Sequence, residues 1–264
     1  MPNEIILDVK DIGLHFGGVK AVDGLSFSIE KGQICALIGP NGSGKTTTLN
    51  LITGVYQPQW GEVLFNDVNI SQMQRSDIAR IGLTRTFQNL RIYSTLTVLE
   101  HVLVGDYSQS KAGFFNAVFR LPAGKADEKR AIKKSMELLE KVKLADKANT
   151  LAINLSYGQR RLLEIARALA LKPKILFLDE PAAGMSSDEI GQLIELIKSL
   201  CCEDKLTIMV IEHRMKLVMT VADKIVVLNY GKKIAEGTPE HVQNNPEVIE
   251  AYLGRRHEKI STEA

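Results

Sequence analysis

A chain of 264 residues with 45% apolar and 24% charged side chains is a globular composition, long enough for one large domain or a domain carrying an inserted subdomain. Its net charge of +2 argues against an electrostatic nucleic-acid footprint, and no apolar run approaches the length of a membrane span. Cys35 and the adjacent pair Cys201-Cys202 lack metal-ligand spacing, and Met1-Pro2-Asn3-Glu4 does not open a basic-then-apolar leader, so a cytosolic protein with reduced thiols is expected.

Ile5 to Phe16 carries β-type alternation, and Leu25 to Ile29 alternates more clearly, with Leu25, Phe27 and Ile29 on one face. After the turn Glu30-Lys31-Gly32, the apolar run Ile34 to Ile38 reads as a buried strand, and Thr46 to Thr53 as the start of a helix. Gly61 to Phe65 and Gly82 to Phe87 are further strand candidates. From about Leu90 to Leu155 the character is helical, with Ile132, Met136, Leu139 and Val142 at helical spacing. A second helix spans Ser156 to Leu171, its apolar side formed by Leu162, Leu163, Ile165, Ala166 and Leu169. Ile175 to Leu178 and Leu206 to Ile211 are runs typical of parallel strands buried on both faces. Lys224 to Leu228 and Lys232 to Glu236 predict a hairpin about Tyr230-Gly231. Thr238 before Pro239 and Asn245 before Pro246 predict two capped short helices, the second ended by Gly254. Residues from Arg255 onward form a polar tail, and no internal repeat or low-complexity segment is present.

Between the first buried strand and its helix stands Gly39-Pro40-Asn41-Gly42-Ser43-Gly44-Lys45-Thr46. A strand, a glycine turn and a helix start place several backbone N–H groups and the positive end of a helix dipole around one point. Such a point favours a phosphate. Lys45 can reach the β- and γ-phosphates and the Thr46 hydroxyl can ligate Mg²⁺, so the chain is expected to bind a nucleoside triphosphate.

Ile175-Leu176-Phe177-Leu178 is followed by Asp179 and Glu180. A buried parallel strand delivers its terminal carboxylates to the sheet edge that also receives the phosphate loop. Asp179 is then placed to hold Mg²⁺ and Glu180 to accept a proton from an attacking water, the plainer alternative being two solvated acids at a strand end. Ser156 is a natural cap for the helix carrying Arg160, Arg161 and Arg167. Gly158 in its first turn costs on the order of 1 kcal/mol of helix propensity, which implies the close approach of another group.

Leu155-Ser156-Tyr157-Gly158-Gln159 resembles the Leu-Ser-Gly-Gly-Gln signature of the ATP-binding cassette family. The order of phosphate loop, Gln88, signature, Ile175 to Glu180 and His213 matches as well, over nearly the whole chain from Leu7 to Gly254. The resemblance implies an α/β fold with a P-loop core of mixed parallel sheet, an N-terminal antiparallel β subdomain and an inserted helical subdomain. It divides the chain into a core of 1–90 and 172–254, a helical part of 91–171 and a tail of 255–264. Carried over by position, Gly39, Pro40, Asn41, Gly42, Ser43, Gly44, Lys45, Thr46 and Thr47 form the ATP cradle. Phe16 matches the aromatic stacked on adenine, where composition alone favours a core residue. Thr46, Gln88 and Asp179 match the Mg²⁺ residues, and Glu180 and His213 the catalytic base and the γ-phosphate switch.

In that family two ATPase domains stack head to tail, so Ser156, Gly158 and Gln159 of one would meet the γ-phosphate held by Lys45 of the other. That arrangement implies a dimer, either of two copies or with a paralogous ATPase. It also implies transmembrane permease subunits, an extracellular solute-binding protein acting indirectly, no nucleic acid, and a place on the cytoplasmic face of the inner membrane. Leu90, Ile92, Tyr93, Leu96 and Val98 are candidates for the groove that receives the permease, with core packing as the alternative. Phe114, Phe115, Val118 and Phe119 follow helical spacing and are expected to pack within the helical subdomain.

Two positions depart from the family pattern. Tyr157 replaces a glycine, tolerable if its ring points outward. Ala182-Ala183-Gly184-Met185-Ser186 replaces the usual Ser-Ala-Leu-Asp, so Ser186 stands where a cross-dimer aspartate is expected. The Ala-Ala-Gly variant is similar to the ATPases of branched-chain amino-acid importers and of lipopolysaccharide exporters. Glu212 to Met219 and Asn244 to Gly254 look most like the importers. A ribosome- or DNA-directed soluble cassette usually carries two cassettes or a coiled-coil insertion, and neither is present here.

Overall fold

A computed structural model describes residues 4–86, 92–107 and 122–252. The chain forms two compact units, residues 1–81 with 198–264, and residues 82–197.

The first unit contains two sheets. β1 (Ile5–Phe16) and β2 (Val19–Glu30) pair antiparallel, and β4 (Trp60–Phe65) and β5 (Val68–Asn69) extend the sheet in the order β2-β1-β4-β5. The alternation is legible in burial, since Leu25, Phe27 and Ile29 are enclosed while their neighbours are more open. β3 (Ile34–Ile38) lies between β8 (Thr207–Ile211) and β9 (Lys224–Asn229), parallel to both, and all five residues of β3 and of β8 are buried. β-branched residues and burial on both sides explain the continuous apolar runs. Each large aliphatic so enclosed contributes about 1.5–3 kcal/mol. β10 (Lys232–Gly237) returns antiparallel on β9 through Tyr230 (φ 47°) and Gly231 (φ 79°), the geometry of the tight turn that the hairpin requires.

Helices α1 (Lys45–Ile52), α2 (Arg75–Arg80), α7 (Met215–Val221) and α8 (Pro239–Gln243) belong to this unit. Thr238 caps α8 through the His241 N–H, and Asn245 Oδ1 accepts the N–H groups of Glu247 and Val248 at the head of a helix that starts at 246. Both caps fall where the proline pattern predicts. Gly254 lies outside the described residues. Cys35 and Cys201 are buried thiols, and burial pushes Cys35 up to about 12.

The second unit pairs β6 (Leu83–Arg85) parallel with β7 (Ile175–Asp179) and packs α3 (Val98–Tyr107) against α4 (Pro122–Lys141) and α5 (Tyr157–Ala170). α6 (Ser187–Cys202) runs from this unit into the first. Leu139 and Val142 of the expected face are buried, but toward the start of α4 the face is displaced by one residue: Ala131 and Ser135 are buried, whereas Ile132 is exposed and Met136 half-buried. The small residues Ala131 and Ser135 face inward, allowing close helix approach that apolar periodicity alone does not register. Phe114, Phe115, Val118 and Phe119 lie outside the described residues.

Candidate functional site

In the first unit, β3 runs directly into the glycine loop, whose backbone is folded tightly against its surroundings. Gly44 has φ 104°, and a Cβ there would meet the Ala21 carbonyl at 2.4 Å, so no other residue fits without a shift. The Lys45 ammonium, almost fully buried, donates to the carbonyl oxygens of Gly39 (2.8 Å) and Pro40 (2.9 Å). Gly44 caps α1 without a side-chain acceptor, and no acidic residue occupies the first turn. Ser43 Oγ is buried without a hydrogen-bond partner. Uncapped N–H groups, a buried ammonium and an unsatisfied hydroxyl at one point are what an oxyanion would satisfy. The loop opens into a cleft of about 480 Å³ bordered by Val19, Lys20, Thr46, Thr47 and Tyr230. Thr46 is exposed and Thr47 half-buried at its mouth.

Phe16 does not take the core alternative. It is 48% exposed at the end of β1, with the Tyr56 ring edge-on at 5.6 Å. β8 ends beside β3, with Ile211 in register with Leu37, so Glu212-His213 leaves the sheet at the edge where the glycine loop begins. His213 is exposed there. The buried Glu212 carboxylate accepts the N–H groups of His213 (3.0 Å) and Arg214 (3.1 Å) and fixes the backbone that presents the imidazole.

In the second unit, Asp179 is 3% exposed at the end of β7, and its Oδ2 accepts from Arg85 Nη2 at 2.7 Å. The Asp179 N–H donates to Thr86 Oγ1, which itself donates to the Phe177 carbonyl. Glu180 follows with φ 48°, a left-handed conformation that is uncommon for a non-glycine residue and turns the chain sharply out of the strand. Gln88 and Leu90 lie outside the described residues.

Ser156 caps α5 in a reciprocal box. Its Oγ accepts the Gln159 N–H at 3.2 Å and its own N–H donates to Gln159 Oε1 at 3.1 Å, so the Gln159 amide is turned back onto Ser156. The close approach expected at Gly158 exists, and the group responsible is the Glu189 carboxylate, 2.2 Å from where a Cβ would sit. Tyr157 does not simply point outward. Its ring, 44% exposed, lies over Gly184, and its hydroxyl accepts from Arg161 Nη2 at 3.1 Å. The two departures from the family pattern are therefore packed on each other.

Ser186, which stands where a cross-dimer aspartate is expected, makes local contacts instead. Its Oγ accepts the Glu189 N–H (3.3 Å), and its N–H donates to Glu189 Oε2 (2.9 Å), forming a capping box at the start of α6. The sequence Ser186-Ser187-Asp188-Glu189 carries the S-x-x-E signature of that box, which is the signal in the sequence for Glu189. Arg85 and Glu212 are likewise additions, and neither has a sequence signal beyond its neighbour in the chain.

A cleft of about 260 Å³ in the second unit is lined by Thr86, Tyr93, Val104, Gly105, Arg167 and Leu171 among others. Of the predicted groove residues, Tyr93 is exposed along it, Ile92 and Leu96 are half-buried, and Val98 is fully buried core. The buried His101 imidazole fixes this segment. Its Nε2 accepts the Tyr93 N–H (3.0 Å) while Nδ1 donates to the Thr97 carbonyl (2.9 Å). Burial holds His101 below its usual range, against a smaller opposite pull from the Thr97 hydrogen bond. A His with a lowered folded pKa stabilises the fold above its unfolded value of about 6.5, and loses that contribution as pH falls toward the folded value. Acidification through that window should lower the protection factor of the Tyr93 amide (the intrinsic exchange rate over the observed rate at the same pH), and His101→Ala should give the low protection factor already at neutral pH. An amide protected equally at pH 7 and pH 5 would remove His101 from this role.

Residues 22–183 match the model of the ABC transporter family, and residues 232–258 that of the branched-chain amino acid ATP-binding cassette transporters. Over 249 residues the chain is 44% identical to BraF, a high-affinity branched-chain amino acid transport ATP-binding protein of Pseudomonas aeruginosa, covering 94% of this chain and 98% of that protein. A crystal structure of an ATP-binding cassette of an ABC transporter in its ADP conformation superposes with a TM-score of 0.82 at 34% identity, covering 95% of this chain and 99% of the other. A dimeric cassette in a post-hydrolysis state, bound to ADP and Pi, gives 0.74 at 25% identity, covering 88% and 98%. Among the described residues no helix is long and apolar enough to cross a membrane.

Proposed function

The chain belongs to the ATP-binding cassette transporter family, and from that premise we propose that it hydrolyses ATP to energise the import of branched-chain amino acids. The observation that carries the import reading is the second match, at residues 232–258, because it singles out the branched-chain amino acid cassettes within the larger family. It is an ATPase, and it works with permease subunits.

In this reading the nine residues Gly39 to Thr47 cradle the triphosphate, with Lys45 on the β- and γ-phosphates and Phe16 against adenine. The buried unpartnered Ser43 hydroxyl and the uncapped start of α1 support an anion at that place. Glu180 takes the proton from the attacking water, and His213, held by Glu212, contacts the γ-phosphate. Thr46, Asp179 and Gln88 are the residues offered to Mg²⁺, which when bound neutralises charge on the phosphates. Arg85 holds the Asp179 carboxylate in one orientation. Ser156 and the Gly158 N–H face the triphosphate of a second ATPase, a copy of this chain or a paralogue, and Gln159 acts through Ser156. The core of 1–90 and 172–254 and the helical part of 91–171 carry these two halves of the chemistry.

The cleft at Tyr93 takes a cytoplasmic helix of the permease, which places the protein on the inner face of the membrane. A solute-binding protein outside supplies the amino acid. Vesicles holding the chain with its permease should accumulate labelled leucine, isoleucine or valine severalfold when ATP and the binding protein are supplied. Stimulated ATP hydrolysis without uptake of any of the three would overturn the import reading and leave the ATPase reading in place.

A further inference from the structure

Two helix starts, those of α5 and α6, share one carboxylate. Glu189 Oε2 accepts the Ser186 N–H at 2.9 Å and so completes the capping box of its own helix. Its other oxygen, Oε1, accepts from the Ser156 hydroxyl at 3.2 Å. The same oxygen lies 2.2 Å from the position of a Cβ on Gly158, and the carboxyl carbon 2.3 Å from it, so the group rests directly on the first turn of α5. Any side chain at 158 would expel it. Hydrogen bonds from Ser186 lead the causes that hold the Glu189 carboxyl below its usual range, so it is an anion at neutral pH.

We propose that Glu189 is a resident anion on the signature helix, keeping the place that the γ-phosphate presented by a second ATPase takes on closure. The inference rests on the reading of Ser156 and Gly158 as the residues that meet that phosphate. Two anions cannot both take the one Ser156 hydroxyl at the same helix turn in a site from which water is being driven. Closure therefore requires the Glu189 side chain to leave Ser156, and the carboxylate sets a threshold that nucleotide binding has to exceed. It is a positioning residue, since it acts through the Ser156 hydroxyl and the Ser186 turn. Because Glu189 also holds the Ser186 N–H, its departure loosens the turn that follows Glu180 at the moment the partner's phosphate arrives.

The threshold is measurable in the slowly hydrolysing Glu180→Gln protein, by titrating ATP with Mg²⁺ and following dimer formation by light scattering. Glu189→Gln added to that protein removes the charge and keeps the capping box, which glutamine also completes, so the helix start stays folded. The expected result is a midpoint shifted to about three- to tenfold lower ATP, the size of a single like-charge contact near a surface. Glu189→Ala should shift it in the same direction. An unchanged or higher midpoint in both variants would show that Glu189 is only a strut, and would overturn the inference while leaving the two-ATPase reading intact. If Glu180→Gln itself stays monomeric at saturating ATP, the two-ATPase reading fails and this inference fails with it.

Discussion

Glu180→Gln should keep ATP bound and slow its hydrolysis by roughly 10²- to 10⁴-fold, the range supplied by one well-placed general base. The substitution is isosteric, and the left-handed backbone at this residue is the same for Glu and Gln, so the fold is not the variable being changed. Only the ability to accept a proton is lost. Asp179 stays in its pair with Arg85 and its hydrogen bond to Thr86, because neither involves Glu180. Phosphate release and equilibrium ATP binding, measured on the same preparation, separate the two effects. Turnover within a factor of a few of the unmodified protein would assign the base elsewhere.

The second large effect is expected at Lys45. In Lys45→Ala the phosphates lose a charged donor, worth about 1.5–3 kcal/mol for each hydrogen bond made. The deletion also leaves the carbonyls of Gly39 and Pro40 without the donor they now share, so the loop itself loses its central tie. Affinity for ATP should fall by roughly 10- to 150-fold, following from that range at 1.4 kcal/mol per decade. Turnover should drop further still, because the charge that develops in the transition state is no longer met. Calorimetric titration with ATP and a phosphate-release assay check both parts. A variant that binds ATP as tightly as the parent would take Lys45 out of the phosphate site.

Much of this site could be read from the sequence, and the physical reason is locality. The glycine loop, its strand and its helix are contiguous, so Ile34 to Thr53 carries the strand, the turn and the cap in order. The same holds for β7 with its terminal acids and for the hairpin about Tyr230. What escaped depends on packing between segments far apart in the chain. Arg85 meets Asp179 across 94 positions, and Glu189 reaches Ser156 across 33. Ile132 is apolar in the sequence yet exposed, because the early part of α4 turns the small residues Ala131 and Ser135 inward in place of the apolar position beside them. Glu189 was within reach even so, through the S-x-x-E spacing that begins at Ser186.

The contact of Tyr157 with Gly184 links the two positions at which the chain leaves the family pattern. A methyl group on Gly184 would lie 2.7 Å from the tyrosine ring, so the family's alanine there and a tyrosine at 157 in this position exclude each other sterically. The bulk missing from one wall has been added to the opposite one, and the gap between helix start and loop stays filled. Changing either residue alone would leave a hole or a collision, which makes the pair a single steric unit rather than two independent substitutions.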